Sequence, residues 1–180
     1  MAVVPPTHTV TGGPATSSEM NAYFRDPINF LLARPLCDVY SVAVQSIPNN
    51  VYTALTFDTE FVDRDPSGSG GHSTSVNTSR FTAVYAGYYG VIGAYTYASN
   101  AAGFRGAVIA LNGTQQDRTR RIGPPASAAT SGHITVAGTV FLNVGDYTEI
   151  MGIQNTGAGL NTDTANLAYC SMRVVWEGTA

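Results

Sequence analysis

From Leu36 onward the chain is written in short runs of Val, Ile, Thr, Tyr and Phe, separated by Gly, Asn, Asp and Pro at near-regular intervals. That rhythm fits a sandwich or barrel of short strands. Strands are predicted over 37–45, 51–57, 79–85, 88–98, 104–112, 133–143, 147–155 and 167–176. Alternation is cleanest where Ile134, Val136, Gly138, Val140 and Leu142 form an apolar or small face against His133, Thr135, Ala137, Thr139 and Phe141, because successive strand residues point to opposite sides. Met172, Val174 and Trp176 alternate likewise against Ser171, Arg173 and Val175. With no helix among them, these strands predict an all-β fold, an antiparallel two-sheet jelly-roll sandwich rather than a parallel sheet.

The first 35 residues differ. Thr7 to Thr16 is an arm rich in Pro, Gly and Thr, and Thr16-Ser17-Ser18-Glu19 then has the spacing in which a hydroxyl and a carboxylate satisfy the free N–H groups of a helix start. Met20, Phe24, Ile28, Leu31 and Leu32 recur at steps that gather them on one helical face. Pro27 removes a backbone donor and disfavours helical geometry at Asp26, so a kink or two short helices are expected, ending by Arg34-Pro35. The chain thus divides into an arm and amphipathic anchor helix over 1–35 and a β head over 36–180. The head supplies its own core, so the apolar stripe is expected to contact a partner.

Composition excludes several chemistries. All nine basic residues are arginine, and the absence of lysine removes the P-loop, the Schiff base and the Ser-Lys dyad. A net charge of −3 offers no general attraction to phosphate backbones, so no nucleic acid is expected as a partner. The uncharged stretch 82–104 is full of Tyr, Gly, Ser, Thr and Asn and reads as strands, not as a membrane span. Met1 to Pro6 lack a basic region followed by a long apolar run, so no secretory signal is expected and assembly in a cytoplasm is. Cys37 and Cys170 are too few and too far apart for a disulfide scaffold or a zinc site and read as structural thiols. His8, His72 and His133 share no metal-binding spacing and read as arm, loop and strand surface. There is no G-x-S-x-G elbow, and Asp63 and Asp65 sit in one loop instead of facing each other across a cleft. No enzyme and no cofactor are expected.

Three features remain as candidates. Tyr85, Tyr88, Tyr89, Tyr95 and Tyr97 crowd predicted neighbouring strands; one face of that sheet can be core, and the other is a candidate subunit interface, unless tyrosine is there simply because it favours strands. Arg118, Arg120 and Arg121 form the basic patch of a polar loop, suited to an anionic cell-wall glycan or a subunit seam, with a solvated face as the plain alternative. Asp58, Glu60, Asp63 and Asp65 precede the flexible Ser67–His72 loop and have part of a calcium-loop pattern without its distal Glu; the plainer reading is a solvated acidic loop with Arg64 and Arg80 as partial counterions. Loops 63–73, 115–132 and 156–166 are rich in Gly, Ser, Thr, Asn and Asp and suit recognition on a rigid scaffold.

The run Ser79-Arg80-Phe81-Thr82-Ala83-Val84-Tyr85-Ala86-Gly87-Tyr88-Tyr89 resembles the motif of the complement globular-head and tumour-necrosis-factor jelly-roll superfamily, in which an aromatic and a Thr precede a Gly-aromatic pair. Arg105 to Leu111 with Asn112-Gly113-Thr114, then Val140 to Tyr147 with its Leu-x-x-Gly-Asp turn, then Tyr169 to Gly178, resemble later pieces of that superfamily in the same order. The resemblance covers about residues 36–178. It implies a homotrimer, and first and last strands that are neighbours, bringing Cys37 and Cys170 towards each other as reduced thiols. The segments Val3-Val4-Pro5-Pro6, Met20-Asn21, Phe24-Arg25-Asp26 and Asn29-Phe30-Leu31-Leu32 resemble the head of minor tail proteins from bacteriophages of high-GC Gram-positive bacteria, which the all-arginine usage also suits. That likeness implies a structural virion component, a minor tail or fibre protein whose trimeric head meets the host surface. The alternatives are a capsid decoration or head-fibre protein, and a stand-alone bacterial carbohydrate-binding, lectin-like trimer.

Overall fold

The computed structural model describes residues 13–124, 130–164 and 169–179. The segment Val3–Pro6, His8 and parts of the loops 115–132 and 156–166 lie outside them. The helix start at Thr16 is formed as expected: the Glu19 N–H donates to the Thr16 hydroxyl at 3.2 Å and the Thr16 N–H donates to the Glu19 carboxylate at 2.8 Å. The helix then runs unbroken through α1 (Ser17–Met20), a π-helical turn (Asn21–Arg25) and α2 (Asp26–Leu32). Pro27 therefore neither ends nor divides it. A proline clashes with the carbonyl four residues back, here that of Tyr23, and the widened π turn containing Tyr23 absorbs the misfit.

The strands are β1 (Leu36–Ser41), β2 (Ser46–Ile47), β3 (Thr53–Ala54), β4 (Thr59–Arg64), β5 (Arg80–Thr82), β6 (Gly87–Tyr97), β7 (Arg105–Leu111), β8 (Thr114–Gln115), β9 (Arg121–Gly123), β10 (Gly132–Leu142), β11 (Tyr147–Gln154), β12 (Leu160–Asn161) and β13 (Cys170–Gly178). Among the described residues one sheet has the order β10-β6-β13-β1-β4, and the facing sheet has the order β3-β11-β7-β8, with β5 on β11 and β9 on β7. All ladders of the two sheets are antiparallel. This is a jelly-roll sandwich with a short helix ahead of it. The inner faces meet in one core that includes Phe57, Phe81, Tyr89, Tyr95, Ile109, Val140, Leu142, Ile150, Met172 and Val174.

Two turns are joined by their side chains. Asn112 and Gly113 both take positive φ, 49° and 76°, the geometry of a tight hairpin between β7 and β8. Asn112 Nδ2 donates to Asp146 Oδ1 at 2.8 Å, while Asp146 Oδ2 accepts from the Asn143 N–H at 2.8 Å and from Asn143 Nδ2 at 2.9 Å. These donors hold the Asp146 carboxyl below the usual carboxylate range.

Candidate assembly and recognition surfaces

The outer face of the five-stranded sheet follows from register. Phe141 stands beside Tyr88, Thr139 beside Gly90 with Val175 on the glycine's other side, and Ala137 beside Ile92 with Arg173 on the isoleucine's other side. On β1, Leu36 lies opposite Val175 and Asp38 opposite Arg173. The face is therefore small and apolar along its middle, and its ion pair, Arg173 to Asp38 at 3.8 Å, is largely solvated and contributes little. Tyr88, Ile92 and Phe141 remain 43%, 50% and 36% exposed, and Tyr88 packs edge-to-face on Phe141 at 5.2 Å. The exposed apolar side chains of Tyr88, Ile92 and Phe141 make this face a candidate interaction surface.

The five tyrosines do not share that face. Tyr88 to Tyr97 lie on one 11-residue strand, so parity divides them: Tyr88 points out, while Tyr89, Tyr95 and Tyr97 are buried in the core of their own chain. They are corrected from interface candidates to core residues. Tyr89 donates to the Tyr85 carbonyl at 2.6 Å, and burial pushes the phenols of Tyr89 and Tyr95 well above their ordinary range. Tyr85 lies in the bend before β6, against the helix. The outward-facing apolar residues of this sheet that the sequence pattern did not single out are Ile92, Ala137, Phe141 and Val175. Their signal was already in the alternation, since they occupy the side opposite the core positions.

The helix shows both a docked side and a free one. Phe30, which lies off the predicted stripe, is buried and packs edge-to-face on Tyr85 at 5.1 Å and on Trp176 at 4.9 Å. Met20, Phe24, Ile28, Leu31 and Leu32 stay between 48% and 72% exposed. The stripe is thus presented outward by a helix whose end is fixed to the head.

The acidic cluster is not a solvated loop. Thr59–Arg64 is the edge strand β4, and its carboxylates and those beside it bind groups of their own chain. Asp58 accepts from the Val42 and Ala43 N–H groups at 2.9 and 2.8 Å, and these bonds outweigh burial to lower its pKa. Asp63 accepts from the Gly71 and His72 N–H groups, each at 2.8 Å, and Asp65 accepts from the Ser67 N–H and hydroxyl. Glu60 Oε1 lies 2.9 Å from Nδ1 of His72, whose ring is buried with Nε2 3.0 Å from the Thr78 carbonyl oxygen. Arg80 turns away from the cluster to Glu149, at 3.2 Å, and stacks over Tyr147. Among the described residues no three His, Cys, Asp or Glu side chains gather to hold a metal. No described helix is long and apolar enough to cross a membrane.

The three arginines of the polar loop are each engaged locally. Arg118 donates to the Thr139 carbonyl at 2.6 Å, Arg121 donates to the Arg120 carbonyl at 2.8 Å, and Arg120 pairs with Asp117 above the Tyr52 ring. Arg118 and Arg121 keep exposed sides, and Arg120 is half-buried.

The strands carrying the two cysteines are neighbours, but the thiols do not approach. Cys37 lies opposite Val174 and Cys170 opposite Ser41, an offset of four residues or ~13 Å along the strands. Both are buried and free. Burial pushes the Cys170 thiol up to about 11, and the Cys37 thiol higher still, with Asp63 adding to the shift.

The sandwich, its strand order and the turn positions define a jelly roll of the tumour-necrosis-factor and complement globular-head type. Solved structures carry the same fold. The globular domain of zebrafish complement 1qA aligns over 81% of this chain and 98% of its own, with 12% identity and a TM-score of 0.57. Murine APRIL at pH 5.0 aligns over 79% of this chain and 98% of its own, with 14% identity and a TM-score of 0.56. At such identities the likeness is one of fold. No protein-family model and no curated protein matches the chain.

Proposed function

We propose that this chain is a structural component of a bacteriophage particle, of the minor-tail or fibre class. It is a homotrimeric jelly-roll head that the N-terminal helix attaches to the particle and that meets the host surface through its loops. The observation that carries the reading is the outward stripe of Met20, Phe24, Ile28, Leu31 and Leu32 on a helix already pinned by Phe30. An apolar stripe left in water is a liability, and other virion proteins are its natural cover. The motif resemblance of residues 3–32 supplies the phage assignment. The apolar outer sheet face supports the three-fold assembly, because rotation about one axis would cover it in every copy. The protein works by binding, without catalysis, and Arg118 and Arg121 are its candidate contacts to an anionic cell-wall glycan.

The test is incorporation into particles. Phe24→Asp with Leu31→Asp leaves the core untouched but puts two carboxylates into the attachment contact, at a cost on the order of several kcal/mol. The doubly changed protein should fold and be missing from purified particles. Incorporation at the normal copy number would overturn the attachment role. Deletion of residues 1–34 is the coarser version, because it also uncovers Tyr85 and Trp176.

A further inference from the structure

Strand β6 carries three glycines, and only two are explained by the chain itself. A Cβ on Gly87 would collide with the Trp176 ring and the Gly178 carbonyl, and one on Gly93 would collide with Ile150 of the facing sheet. Both glycines are buried. Gly90 is different. It points outward, it is not among the residues of positive φ, and the three atoms nearest to an added Cβ all belong to the flexible end of Glu177. Glycine in the middle of a strand weakens it and commonly marks a close approach from outside.

At Gly90 the outer face has a depression of about 280 Å³, lined among others by Ile92, Ala137, Thr139, Val175 and Glu177. Its floor is apolar. Its rim carries the Glu177 carboxylate, held across the glycine by a 3.3 Å bond from the Thr139 hydroxyl, and Arg173. An apolar body with a hydroxyl donor at its tip fits such a site, and the same face bears one two residues away: Tyr88, exposed and braced by Phe141. We infer that Gly90 holds open a socket that receives the Tyr88 side chain of a second copy of this chain. The inference rests on the homotrimer reading and names its central contact. Knob and socket occupy different points of one face, which lets each copy give its tyrosine to another, and in the homotrimer reading the ring closes with every socket filled. Glu177 swings off the glycine and accepts from the incoming phenol.

The experiment is self-association measured by sedimentation velocity for the full chain, Gly90→Val and Tyr88→Ala, with melting temperature and near-ultraviolet circular dichroism as fold controls. The wild type should assemble above its 18.9 kDa monomer, and each variant should self-associate at least about 30-fold more weakly, the loss typical of a central aromatic anchor. An equal mixture of the two variants should form a pair, because one supplies the tyrosine and the other the open socket. If Gly90→Val fails to fold, Tyr88→Ala, an exposed change, decides alone. A wild type that assembles, with variants that assemble equally well, overturns the socket and leaves the three-fold reading standing. A wild type that stays at 18.9 kDa at all concentrations overturns both.

Discussion

Replacing Phe30 by alanine tests whether the helix belongs to the head. The ring is 7% exposed and lies between Tyr85 and Trp176, with centroids 5.1 and 4.9 Å away. Truncating a buried Phe to Ala costs ~3–5 kcal/mol, of which aromatic pairing supplies ~0.5–1.5 per pair. At the margin of the core the low end applies, about 3 kcal/mol. For a chain of this size each kcal/mol moves the melting temperature by ~2–4 °C, so the fall is ~6–12 °C at most, less if the helix lets go on its own. Either way Trp176 reports the event. It is the only tryptophan in the chain, and its indole N–H donates to the Ala86 carbonyl at 3.3 Å behind the face that Phe30 covers. Tryptophan emission should move to longer wavelength in Phe30→Ala, with a lowered melting temperature. Unmoved emission with a melting temperature within about 1 °C of wild type would refute the docking.

Gln154→Leu should lower stability by at least about 3 kcal/mol in denaturant unfolding, because the buried amide donates to the Ile47 and Ala158 carbonyls and accepts from the Thr156 N–H and hydroxyl, and each buried group left unpaired costs ~1–3 kcal/mol. Cys37 and Cys170 should resist a thiol reagent in the native protein at pH 8 and both react in denaturant; fast reaction of either in the native state would contradict their burial. Asp146 has a lowered native pKa, so the unfolded chain takes the proton first as pH falls below ~4. Its stabilisation is therefore present at neutral pH and lost as pH falls through the lowered native value, and Asp146→Asn should flatten the urea midpoint between pH 2 and 5.

The two-sheet architecture was legible because every second residue of β10 and β13 is apolar or small, and that period is what a strand with one face on the core requires. β4 was not legible, since Glu60, Asp63 and Arg64 disguise an edge strand as an acidic loop. The use of Asp58 and Asp63 as acceptors for distant backbone N–H groups depends on loop paths that the local pattern does not encode. Tyrosine parity was readable in principle: adjacent Tyr88 and Tyr89 must face opposite ways, and Tyr89, Tyr95 and Tyr97 share a side. Composition alone grouped them. The neighbouring of the first and last strands came with the resemblance, but its register did not, and the four-residue offset is what keeps Cys37 from Cys170. Phe30 was missed because it lies off the stripe, on the side that only the docked head gives a purpose.

In the proposed trimer the outer face of the five-stranded sheet is covered by neighbouring copies. Hydroxyl-radical footprinting of the full chain at assembling concentration reads this directly, residue by residue. Tyr88, Ile92 and Phe141 should be protected well below what their 43%, 50% and 36% exposures in the single chain imply, while Phe61, 80% exposed on the edge strand, and Ile122, 62% exposed, should be oxidised freely. Oxidation of all five in proportion to those exposures would contradict that coverage.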